Sequence, residues 1–169
     1  MPEPIVIHDY DPHWPALFEA CRTRITSVLG PLAQRIEHVG STAVPALAAK
    51  PIIDLIVVIP TRADLPAVIA RLQLLGYMHE GDGSISGREA FAAPPSAPTQ
   101  HLYVCAADSL ELARQVAFRD ILRSQPATAQ AYADLKRSLA ERFRHDRTAY
   151  TEAKSEFVEH HLRTLTLGS

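Results

Sequence analysis

The chain has 169 residues, 47% of them apolar, with 17 lysines and arginines against 19 aspartates and glutamates for a formal charge of −2. That length suits one domain over 1–169, whose folding buries roughly 70% of the unfolded surface, and the near-neutral charge gives no support for extensive nucleic-acid binding through phosphate contacts. No apolar run approaches the ~20 residues of a membrane helix, and the Met-Pro-Glu-Pro start lacks signal character, so the expected protein is cytoplasmic and off the membrane.

Residues 4–8 alternate weakly and predict a short first strand before the Asp9-Tyr10-Asp11-Pro12 turn. A helix is predicted over 14–29. Pro15 fits its first turn, Gly30-Pro31 stops it, and Leu17, Cys21, Ile25, Val28 and Leu29 form its apolar stripe, with Trp14 as a packing anchor. Cys21 and Cys105 lack Cys-x-x-Cys spacing and read as two buried thiols. Two β-type runs, 35–39 and 52–59, flank a Gly40-Ser41-Thr42 turn and a short Ala/Leu segment. The second run carries one charge, Asp54. Strand alternation puts Asp54 on a face with Ile52, Ile56 and Val58, and Ile53, Leu55 and Val57 on the other. A carboxylate there is costly to bury unless it is paired, hydrogen-bonded or bound to metal, which leaves two readings: a sheet-margin acceptor of backbone amides, or a metal ligand.

Thr61 is placed to cap a helix over 64–75 that Gly76 stops. A third β region begins near Tyr77, Gly81-Asp82-Gly83-Ser84 reads as a hairpin or flexible loop, and Arg88 opens the next strand. Pro94, Pro95 and Pro98 make the link to His101 irregular. His101 and Tyr103 then share one strand face, toward the site, and Leu102 and Val104 the other, toward the core. Helices follow over 109–123, 127–143 and 148–165, the last capped by Asp146. Leu110, Ala113, Val116 and Ala117 are expected inward in the first, and Leu135, Leu139 and Phe143 in the second. The fold class is α+β. A weak echo joins the last two helices: Tyr132 and Lys136, then Tyr150 and Lys154, each pair one turn apart on one face. Such pairs either pack their stems and solvate their heads or offer an aromatic contact and a phosphate-binding cation.

The segment from Glu37 through His38, Val39, Gly40, Ser41, Thr42, Ala43 and Val44 to Pro45, followed by Lys50-Pro51-Ile52-Ile53-Asp54-Leu55, resembles the signature of the GrpB family, of the nucleotidyltransferase superfamily typified by DNA polymerase beta. Tyr10-Asp11-Pro12 with Trp14, His101-Leu102-Tyr103-Val104, Phe118-Arg119-Asp120, and the run from Tyr150 to Ser155 extend the resemblance over nearly the whole chain. It implies a mixed β-sheet with flanking helices and a helical C-terminal portion. The implied partner is a nucleotide or other phosphate-containing small molecule, with transfer of a nucleotidyl group to an acceptor as the associated chemistry and Mg2+ or another divalent metal as cofactor.

Carried onto this chain, the resemblance makes Gly40, Ser41 and Thr42 a phosphate cradle, with Lys50, Arg88, Tyr150 and Lys154 as further ligand contacts and Arg119 as an alternative cation. Asp54, His38 and Glu37 are the catalytic candidates; Asp54 and His101 are the metal candidates. Two departures stand out. The superfamily pattern has two acids one position apart where this chain has Ile52 and Asp54, and relatives commonly have a second histidine where it has Tyr103. With one carboxylate missing, nucleotide binding is expected over efficient metal-dependent transfer. Two other functions compete: a noncatalytic nucleotide-binding or regulatory domain linked to coenzyme A metabolism, and a metal-dependent hydrolase using Asp54, His38 and His101. The chain has no Gly-x-x-x-x-Gly-Lys-Ser/Thr motif and no His-Glu-x-x-His spacing.

Overall fold

A computed structural model describes residues 2–167, so Met1, Gly168 and Ser169 of the expected domain lie outside the described residues. A five-stranded mixed sheet organises the chain, in the order β1-β2-β5-β4-β3. The strands are β1 (Arg35–Val39), β2 (Ile53–Ile59), β3 (Met78–Gly81), β4 (Glu89–Ala92) and β5 (Gln100–Ala106). β2 runs parallel to β5 and antiparallel to β1, while β3 and β4 form an antiparallel hairpin beside β5. The helices are α1 (Trp14–Leu29), α2 (Leu65–Gln73), α3 (Leu110–Ser124), α4 (Pro126–Arg142) and α5 (Arg147–Leu167). The architecture is α+β, as expected.

β2 is apolar on both sides because helices cover both. Ile53, Leu55, Val57 and Ile59 pack with α1 and α2, whereas Ile56 and Val58 pack with Val39, Cys105 and Leu112 of the α3 side. Each such aliphatic side chain contributes roughly 1.5–3 kcal/mol relative to exposure. Asp54 alone on this strand is left half-buried near the entry end, where helix cover gives way to a cleft.

Three expectations are corrected. Residues 4–8 form no strand, because the only ladder-type contact is an isolated bridge between His8 and Ala49, and Ile5 donates instead to the Arg144 carbonyl at 2.8 Å. In α1 the stripe holds at Cys21, Ile25 and Leu29, with Val28 partly buried, but Phe18 takes the place expected for Leu17. Trp14, Phe18, Cys21, Ile25 and Leu29 are buried and Leu17 is exposed, since Trp14 and not Leu17 sets the phase. In α3, Leu110 is 82% exposed, Ala113 is exposed, and Val116 and Ala117 are half-buried; the buried residues are Leu112, Arg119, Ile121 and Leu122.

Local signals elsewhere match their elements. Thr61 and Asp64 form a capping box ahead of α2, Gly76 (φ 88) follows its end, and Asp146 accepts from the Ala149 amide at 3.0 Å to start α5. One ion pair ties β1 to α3: Arg119 Nη1 donates to Glu37 Oε2 at 2.6 Å and to the His38 carbonyl at 3.0 Å. Burial alone would raise the Glu37 pKa, and hydrogen bonds from Arg119 and Arg35 more than offset it, holding the carboxyl below its usual range. A depressed carboxylate pKa stabilises the fold above the unfolded-state value, and that stability is lost as pH falls through the folded-state value. Glu37→Gln should therefore lower stability by about 1.5–3 kcal/mol near neutral pH, and urea midpoints of the two proteins should converge on acidification. A pH-independent gap would show that the pair's charge contributes nothing.

Candidate functional site

β1 ends at Gly40, whose φ of 72° and ψ of −175° suit glycine alone. A Cβ built there would lie 2.2 Å from Asp54 Oδ2, so the missing side chain is also what lets the turn lie against the carboxylate. Ser41–Ala43 then form a 3-10 turn. Asp54 stands opposite Val39 on one side and beside His101 in parallel register on the other. His101 Nδ1 meets Asp54 Oδ1 at 2.9 Å, and Oδ2 occupies the space that a side chain at position 40 would need.

Two helices bring lysines onto this turn. Lys136 of α4 is 2% exposed, and its ammonium donates to Ser41 Oγ at 2.8 Å and to the Ala48 carbonyl at 2.5 Å. Tyr132 is buried beside it. Lys154 of α5 and Lys50 both approach the Tyr150 ring, with Nζ 4.8 and 5.3 Å from its centroid, and Lys136 stands 4.9 Å over Tyr132 in the same way. Burial, followed by repulsion from Lys154 and Lys50, pushes the Lys136 pKa down to about 7; burial, followed by Lys50, pushes Lys154 down to about 8. Asp54 opposes both shifts. Lys136 is the site residue that sequence reasoning passed over, and the Tyr-Lys echo was its one signal.

The cleft below this turn has a volume of about 540 Å3 and also takes in Arg88, His101, Tyr103, Tyr150 and the α3 arginines. Arg114 is paired with Glu111 and Glu159, and Arg119 with Glu37 and Asp120, which leaves Lys50, Lys136, Lys154 and Arg88 as the cleft-lining lysines and arginines without an acidic partner within bonding distance among the described residues. Arg88 stacks over the Tyr103 ring at 4.2 Å. Its Nε and the Tyr150 hydroxyl are buried without a hydrogen-bond partner among the described residues. Buried donors of that kind are rare and call for a partner.

Gly40, Ser41, Thr42, Lys50, Asp54, Arg88, His101, Tyr150 and Lys154 thus come together around one cleft, and two expected site residues do not line it. His38 pairs with Leu55 and so faces the α1 side of the sheet, stacked on Phe18 at 4.6 Å. Its Nε2 meets Thr42 Oγ1 at 3.0 Å, and Thr42 in turn donates to the Ile52 carbonyl, so the ring supports the turn from behind. Burial pushes its pKa down to about 4, too low for a base working near neutrality. Glu37 shares the Asp54 face but is held by Arg35 and Arg119.

The residues present do not fit a two-carboxylate magnesium centre. Magnesium wants oxygen ligands in octahedral array. Ile52 supplies none, Asp54 is already bonded to His101, and among the described residues no group of three or more His, Cys, Asp or Glu side chains converges. The charge around Asp54 is that of lysines.

Comparison with known proteins agrees with the fold. A UPF0157 protein of Halalkalibacterium halodurans is 37% identical over 156 residues, covering 92% of this chain and 79% of its own length. The crystal structure of the conserved protein GrpB from Enterococcus faecalis superposes with a TM-score of 0.78 at 29% identity, covering 93% of this chain and 99% of that one. A Cid1 poly(U) polymerase structure shares the fold at a TM-score of 0.56 and 12% identity, over 80% of this chain and 45% of that one. This chain spans 62% of a UPF0157 relative from Pseudomonas aeruginosa and 43% of a dephospho-CoA kinase from Mycolicibacterium paratuberculosis, so those proteins are longer than the match. Among the described residues no helix is long and apolar enough to cross a membrane. The GrpB protein model matches residues 4–164, and the chain belongs to the GrpB family, on a nucleotidyltransferase-like fold.

Proposed function

We propose that the cleft binds a nucleotide or a related small molecule through its phosphates, with lysine side chains in the charge-neutralising role. The observation that carries this is the convergence of Lys50, Lys136 and Lys154 on one cleft in which Asp54 is the acid not paired with an arginine. Burying ammonium groups together is unfavourable for the unliganded fold, since each loses hydration and repels the others. A polyanion reverses that cost. Ser41 and the turn offer a hydroxyl and backbone donors, and the unpartnered Arg88 Nε and Tyr150 hydroxyl are further donors on the cleft wall. The shared fold with a Cid1 structure described as MgGTP bound makes nucleoside triphosphates the first ligands to test, and the dephospho-CoA kinase relative adds dephospho-CoA and coenzyme A.

Calorimetric titration of the four ribonucleoside triphosphates, dephospho-CoA and coenzyme A tests the reading directly. Lys136→Met, which keeps the hydrocarbon stem, should weaken binding by about 10–100-fold, the equivalent of roughly 1.5–3 kcal/mol for a charged hydrogen bond. Folding should survive, because the desolvation cost leaves with the ammonium. Lys154→Ala should act in the same direction. A panel without any interaction at millimolar ligand would sink the proposal.

The two depressed lysines also give binding a pH signature. Below pH 7 both are protonated; as pH rises through about 7 and then about 8 the free protein loses those protons. A bound polyanion raises both values, so binding between pH 7 and 8 takes up protons and weakens as pH rises. Among the described residues the groups acting on them are each other, Lys50, Arg137, Asp54, Tyr132 and Tyr150, with Asp54 as the one carboxylate. Calorimetry in two buffers of different ionisation enthalpy should register this uptake, and equal heats in both would contradict it.

A further inference from the structure

The Asp54–His101 pair has a geometry that phosphate binding does not require. Neighbouring parallel strands hold the two residues side by side, and an ionised carboxylate can only accept, so the 2.9 Å contact fixes the hydrogen on Nδ1. In the tautomer with its hydrogen on Nδ1, Nε2 carries the lone pair. Among the described residues no other hydrogen bond engages this imidazole, and its side chain is 50% exposed at the cleft. The absence of a side chain at Gly40 leaves room for Oδ2, so the carboxylate can hold this orientation toward His101.

We propose that His101 is the general base of a phosphoanhydride-cleaving reaction that proceeds without a divalent cation, with Asp54 as its positioning residue. This rests on the phosphate reading of the cleft and deepens it. A hydroxyl group, water where no other acceptor is present, gives its proton to Nε2 of His101 as its oxygen bonds to phosphorus. The anhydride P–O bond breaks, and its electron pair leaves on the departing phosphate or pyrophosphate. Lys136 and Lys154, which line the same cleft as His101, neutralise that charge, as preorganised cations do in phosphoryl-transfer sites. His101 then releases the proton to solvent. The lysines thus supply the electrostatic part and the imidazole the proton transfer, each from its own element of the fold.

The test is turnover of ATP, GTP, CTP and UTP in EDTA, followed by chromatography of the nucleotide products, with binding measured separately by calorimetry. At least one nucleotide should be cleaved in EDTA. His101→Ala should lower kcat by about 100-fold or more while leaving Kd within about threefold, and added imidazole should restore part of the rate. Asp54→Asn should lower kcat, and its KM and Kd should fall together, because a negative charge beside the phosphates is gone. Asp54→Glu should recover part of the rate, which a merely structural role would not produce. Binding without cleavage, cleavage abolished by EDTA and restored by magnesium, or an unaltered rate in His101→Ala would each overturn this inference while leaving the binding reading intact. Absence of binding across the panel would overturn both.

Discussion

The contact between Gly40 and Asp54 is the constraint from which the site follows. Because no Cβ stands between them, β1 can turn directly over the carboxylate, and Ser41 arrives where the α4 lysine can reach it. Any larger residue at Gly40 would meet Asp54 Oδ2 and would also have to adopt a backbone conformation that L side chains rarely adopt. The other carboxylate oxygen is fixed by His101. One tight backbone approach therefore sets the serine, the acid and the imidazole in relation to one another before any ligand enters.

Around that contact the fold accepts an electrostatic burden. An ammonium group as buried as that of Lys136 is ordinarily excluded from protein interiors. Here the cost is reduced by Ser41, the Ala48 carbonyl and the face of Tyr132, and Lys154 finds a similar aromatic face at Tyr150. The residual cost is visible in the lowered pKa of both amines. His38 contributes from behind the sheet, bonding Thr42 while staying neutral, so it stiffens the turn without adding to the positive charge in front. Glu37 and Arg119 brace β1 against α3 in the same spirit: a paired charge near the site that does not enter it.

Much of this was legible in the sequence wherever a local rule decides the outcome. The bounds of α1, the Thr61 cap, the Asp146 cap and the alternation along β2 and β5 depend on neighbours a few residues apart, and each was read correctly. The misreadings arise where a partner distant in sequence decides. Residues 4–8 alternate like a strand, but no strand lies alongside to complete a ladder. Leu110 is apolar, yet α3 docks through Leu112, Ile121 and Leu122, and the phase of that face is set by the sheet it meets. Glu37 and His38 were indistinguishable as site residues because strand alternation says only that one of them faces Asp54, not that Arg119 is waiting for it. Lys136 was harder still. A lysine on an amphipathic helix is ordinarily solvated, and only the three-dimensional meeting of 41, 48 and 136 reveals otherwise.

Lysines in place of an acid pair change the physics of a phosphate site. A divalent ion held by carboxylates presents charge that is exchangeable with solvent and independent of the protein's proton balance near neutrality. Ammonium groups on α4 and α5 are covalently fixed, and their charge depends on burial and on one another. Charge held in this way is strongest when a polyanion is present, because the ligand itself favours the protonated forms. Ile52 is consistent with such an arrangement: a second acid beside Asp54 would pair with the lysines and cancel the positive potential that the cleft otherwise directs at its ligand. On the proposed phosphate reading, the isoleucine that withholds a magnesium ligand also keeps a second acid away from the lysines, and leaves Asp54 to hold His101.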